Sequence, residues 1–139
     1  MTKRRDLWKA AAALAPFAAS LPMAAATGLP SVTLDPRQAK LKRESFGDLN
    51  IYFEGSTDQI KSMTAGSLLL KAGMTPHPPH THPEEEFMVI TEGTGEISME
   101  GKITKVAPGS MMYCAGNKLH GIVNTGKTPL LFYFYKWQK

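Results

Sequence analysis

The sequence predicts an all-β domain, an antiparallel sandwich or barrel, and three observations carry that prediction. Past Ala26 no long segment shows a 3.6-residue hydrophobic period. The chain there is a series of brief runs of β-favouring residues set apart by Gly, Pro and Asn. The last run, Leu130-Leu131-Phe132-Tyr133-Phe134-Tyr135, is apolar at odd and even positions alike. It predicts a strand central to a sheet, or one whose second face a partner chain covers. Short strands at regular spacing belong to antiparallel sandwiches and barrels.

In chain order, the first element is an address. Residues 1–26 join a basic start to an Ala-rich run closed by Ala24-Ala25-Ala26, the three parts of an export signal, with cleavage expected after Ala26. Pro16 and Pro22 interrupt the run, and Ala is only mildly apolar, so a permanent transmembrane helix is not expected. Arg4-Arg5 followed by Asp6-Leu7-Trp8-Lys9 resembles the twin-arginine signal, although Lys3 and Leu7-Trp8 depart from its usual pattern. That resemblance implies a bacterial protein carried folded into the periplasm, meeting the membrane only during export.

The address also accounts for the charge. Sixteen Lys and Arg stand against twelve Asp and Glu, a net +4. Lys3, Arg4, Arg5 and Lys9 face only Asp6 in the signal, so twelve basic and eleven acidic residues remain in the other 113. A nearly neutral body gives no support to a nucleic-acid partner, and no helix-turn-helix segment is visible. The one cysteine, Cys114, cannot form an internal disulfide, so the domain must be held by its core.

Residues 27–45 read as an exposed lead-in with at most a short helical turn, and the barrel domain as 46–139. Strands are expected at 49–54, 60–64, 67–71, 86–91, 95–100, 102–106, 110–114, 121–124 and 130–137. Turn signals lie at Gly55, Gly93-Thr94-Gly95, Gly101, Pro108-Gly109 and Asn124-Thr125-Gly126. Met74, Met88, Met99, Met111, Met112, Tyr113, Phe132 and Phe134 are expected in the core, some of them lining an apolar pocket.

One cluster carries chemistry. Residues 77–86 read His-Pro-Pro-His-Thr-His-Pro-Glu-Glu-Glu and hold three of the four histidines. His80 and His82 project to one side of an extended chain, and Glu86 heads the apolar run Phe87-Met88-Val89-Ile90. His120 begins a later strand. Imidazoles with a carboxylate suit a borderline divalent metal, not Ca²⁺ or Mg²⁺, which prefer oxygen. Pro78, Pro79 and Pro83 stiffen the segment and lower the entropic cost of a preformed site. His77 reads as a loop histidine, with a pocket-rim base or fifth ligand as the sharper alternative. Glu84 and Glu85 read as exposed carboxylates or supports for an imidazole. Asn124 is expected to satisfy backbone groups, and Cys114 to be a small buried apolar residue.

With these residues in place the chain resembles the cupin family. Gly73, His80, His82, Glu86 and Gly93 follow the first cupin motif, with the gap after Gly73 one residue longer than usual. Gly109, His120 and Asn124 keep the spacing of the second, while Ala115 and Asn117 stand where Pro and Gly are expected. The resemblance implies a jelly-roll barrel (a double-stranded β-helix) with one divalent transition metal, Fe, Mn, Ni or Zn, held by His80, His82, Glu86 and His120. It implies a small-molecule metalloenzyme. Quercetinase-like dioxygenase chemistry on a phenolic or flavonoid-like substrate is favoured, with Glu86 as a proton acceptor. A Zn-dependent hydrolase, lyase or isomerase is the alternative within enzymes. A metal-containing module that binds or senses a small ligand is the alternative outside them. A homodimer is expected from the doubly apolar last strand and from cupin habit.

Overall fold

The computed structural model describes residues 28–139, and the export-signal reading of residues 1–26 lies outside them. Asp35 caps a short 3-10 turn, Pro36–Gln38, by accepting from the Arg37 amide, and the Gln38 side chain accepts from the Asp35 amide in return. Beyond it lie nine strands: β1 Lys40–Glu44, β2 Gly47–Gly55, β3 Ser62–Leu70, β4 Glu85–Glu92, β5 Gly95–Met99, β6 Lys102–Val106, β7 Met111–Cys114, β8 His120–Val123 and β9 Leu130–Gln138. They form a six-stranded sheet in the order β1-β2-β3-β9-β4-β7 and a three-stranded sheet in the order β6-β5-β8. Every pair is antiparallel. The all-β class is as predicted. Among the described residues no helix is long and apolar enough to cross a membrane.

Three expectations change. The six-stranded sheet begins at Lys40, inside the stretch read as a lead-in. β1 is exposed along its whole length and rich in charge, which hides it from a search for apolar alternation and also protects it as an edge strand. The runs 60–64 and 67–71 are one strand, because Gly66 continues the ladder as the partner of Phe134. A Cβ built on Gly66 would lie 2.6 Å from the Phe134 ring and 2.6 Å from the Asn50 carbonyl oxygen. The glycine is therefore room for an aromatic ring, not punctuation. Finally, Met74, Met111 and Tyr113 are exposed, Met111 by 67%. Met111 and Met112 are neighbours on β7, so they face opposite sides of the sheet and only Met112 is buried.

The strand apolar on both faces is central. β9 lies between β3 and β4, with Leu130, Phe132 and Phe134 facing inward. These three, with Leu68, Leu70, Met88, Ile90, Ile97, Met112 and Ile122, form the core between the sheets. The other face carries Tyr133, stacked obliquely with Tyr52, and Tyr135 beside its β4 partner Phe87, which packs on Tyr113 and Trp137. Asn124, fully buried after β8, donates to the carbonyls of Leu70 and Thr128 and accepts from the Gly126 amide. It ties the two sheets as expected of a turn asparagine.

Candidate metal centre

The loop after β3 and the turn before β8 meet by backbone hydrogen bonds. His80 and His120 exchange N–H···O bonds of 2.9 and 3.0 Å, and the Asn117 amide donates to the His82 carbonyl at 2.7 Å. Asn117, which stands where the second motif has Gly, adopts φ +62°. Asparagine is among the residues that tolerate this left-handed conformation, so the departure from the motif leaves the turn intact.

The nitrogens of His80, His82 and His120 lie within 4.8 Å of one another, close enough to hold one ion. Their rings meet edge to face at 4.8 to 5.2 Å. Glu86 at the start of β4 joins them, its Oε2 accepting from His82 Nε2 at 3.1 Å and His120 Nε2 at 2.9 Å. Each of these rings turns its other nitrogen outward. His82 Nδ1 donates to the Glu84 carbonyl at 3.1 Å and lies 3.3 Å from the Glu84 carboxylate. His120 Nδ1 donates to the Lys118 carbonyl at 2.9 Å. A carbonyl only accepts, so Nδ1 carries a proton. The Nε2 proton that bonds Glu86 is the one a metal would displace, leaving the Nδ1–H tautomer with its Nε2 lone pair toward the centre of the cluster.

Electrostatics agree with this geometry. Burial lowers the His80 pKa to about 4, helped by repulsion from His77, His120 and His82, so this ring is neutral at physiological pH. Burial pushes Glu86 up, but the bonds and charges of His120 and His82 outweigh it and hold the carboxyl below its usual range. The bond to Glu86 raises His120 against the opposing effect of burial. One buried carboxylate is thus held by imidazole protons that a cation would replace.

His77 stands outside the nitrogen cluster, exposed but stacked on His80 at 3.8 Å between ring centroids. Glu84 supports His82, and Glu85 instead accepts from the Tyr113 hydroxyl at 2.6 Å. Cys114 is buried in the core as expected. Its Sγ also lies 3.3 Å from His120 Nδ1, a contact that six residues of separation did not advertise. The cluster opens into a cavity of about 190 Å³ whose apolar wall includes Phe46, Leu49, Leu68, Met88, Ile122, Phe132 and Phe134. Lys136 also lines it. Sequence reading passes over this lysine, although its even register with Phe132 and Phe134 on β9 is the available signal.

Comparisons agree with the fold. The Cupin domain profile matches residues 67–135. The chain is similar in structure to KdgF from Halomonas sp., with 15% identity, 79% of this chain and 96% of that one covered, and a TM-score of 0.64. An RmlC-like cupin from Shewanella frigidimarina matches at 14% identity over 81% and 95%, with a TM-score of 0.66. A predicted oxalate decarboxylase from Thermotoga maritima matches at 19% over 78% and 100%, with a TM-score of 0.61. No curated protein matches the sequence. The matched span holds His80, His82, Glu86 and His120, and the sheets around it repeat the architecture of these solved structures: residues 67–135 form a cupin domain.

Proposed function

We propose that the protein is an exported metalloenzyme acting on a small molecule, with His80, His82, Glu86 and His120 holding one divalent transition metal. The carrying observation is the convergence of three imidazoles and one carboxylate at an apolar cavity. Mixed nitrogen and oxygen donors suit Fe, Mn, Ni or Zn. When bound, such an ion supplies Lewis acidity toward a substrate oxygen and, for Fe, Mn or Ni, dioxygenase-type chemistry. The chain's own part is to exclude water with the phenylalanine wall and to accept a proton. Glu86 is the carboxylate of the cavity lining, ionised at neutral pH and therefore in the accepting state. A cavity of ~150 Å³ admits one benzene ring, so 190 Å³ favours a single-ring phenol over a three-ring flavonoid.

Elemental mass spectrometry on the purified protein tests the site, and oxygen uptake with catechols tests the chemistry. Metal with uptake supports the enzyme. Metal with micromolar binding but no turnover supports a binding module instead. Absence of any bound transition metal would overturn the reading. Export through the twin-arginine route rests on Arg4 and Arg5, and replacing both by Lys should leave precursor inside the cell. The aromatic outer face of β9 and β4 supports a homodimer, against which a monomer mass in light scattering at micromolar concentration would decide.

A further inference from the structure

The cavity has a second polar element besides the histidine and glutamate cluster. Lys136 has the inward register of Phe132 and Phe134 on β9 and is the direct cross-strand partner of Glu86. Directly paired antiparallel residues have Cβ atoms ~5 Å apart, so the lysine stem starts beside the cluster. The ion pairs among the described residues are Arg37 with Asp35, His82 with Glu84 and Glu86, and His120 with Glu86. Lys136 is in none of them, and Glu86 is already engaged by two imidazoles. The residue is half-buried, and its ammonium, paired with no carboxylate among the described residues, is available to an incoming anion.

We infer that Lys136 is the anion receptor of this cavity and that the ligand is a small carboxylic acid. Its carboxylate pairs with the ammonium, and its apolar body lies against Phe46, Leu68, Phe132 and Phe134. This rests on the small-molecule reading above and specifies the substrate class. A carboxylate fits better than a phosphate. The lining has one lysine and no arginine, so a single carboxylate charge is met by the ammonium, whereas a phosphate dianion brings a second charge with no further Lys or Arg to meet it. The volume of about 190 Å³ suits one ring plus a carboxylate.

Calorimetric titration with benzoate and with its neutral counterpart benzamide tests this. The purified protein should bind benzoate about tenfold more tightly, the worth of one charge-assisted hydrogen bond. Lys136→Met keeps the stem and its packing. It should bring the ratio to about one with metal content unchanged, and Lys136→Arg should restore the preference. Equal binding of the two probes by the unmodified protein, or a preference that survives in Lys136→Met, would overturn the inference. His82→Ala separates the sources of the preference. A ratio kept after metal is lost belongs to Lys136, and a ratio lost with the metal shows that the metal holds the carboxylate. If His82→Ala retains full metal, the ligand assignment of the proposed function fails while the Lys136 result stands.

Discussion

Two segments deliver the cluster, and they do so by different means. The 77–86 loop is stiffened by prolines, lies near the surface and carries His80, His82 and Glu86 within seven residues. The turn after β7 carries one ligand candidate, His120, which is only 2% exposed. The local solution is nevertheless the same. In each segment a carbonyl two residues away in sequence, from Glu84 or Lys118, takes the Nδ1 proton and turns Nε2 toward Glu86. Ring orientation at this centre is therefore a short-range backbone property, whereas the meeting of the segments depends on the bridge between His80 and His120.

The sharpest way to break the comparison is to remove each ring. His120→Ala and His82→Ala should both release most of the metal in elemental analysis. His120→Ala should also lose ~2–4 kcal/mol in urea unfolding, because it opens a buried space and removes the closer partner of Glu86. His82→Ala, at a more accessible ring, should lose ~1 kcal/mol apart from the metal contribution. Full metal retention in either variant would refute the ligand set. Next comes the turn. Asn117→Val should cost ~1–2 kcal/mol at φ +62°, and Asn117→Gly should stay within ~0.5 kcal/mol of the original. Equal melting of both variants would mean that the left-handed residue is immaterial. Glu84→Gln should weaken metal by less than ~10-fold in a chelator competition, since the Glu84 carbonyl still holds His82. A larger loss would transfer the role to the carboxylate. The smallest effect is at His77, where Ala should leave metal content unchanged, and a fall would make this ring part of the centre.

These contrasts show why one segment is legible in the sequence and the other only partly so. His-x-His, Glu86 and the prolines lie close together, and local spacing on an extended chain is enough to group them. His120 is 34 residues from Glu86, so no local spacing groups it with them: it enters the set as a third imidazole from a distant segment, and the family resemblance chooses the same four residues. The Cys114 contact with His120 and the inward lysine at 136 depend on strand pairing, which composition does not reveal. β1 escapes notice because an exposed, charged edge has no apolar alternation. β3 reads as two strands because Gly66 looks like a turn signal until the ring that fills its place is known.

That glycine has a reach beyond its own strand. Phe134 lies against the space left by Gly66 on one side and lines the cavity on the other. A methyl group added at 66 would meet both that ring and the backbone carbonyl of Asn50 on β2, each at 2.6 Å, so a smaller ring at 134 alone would not make room for it. The width of the chamber is thereby held from a position outside the histidine cluster: the ring at 134 sits where it does because position 66 carries no side chain.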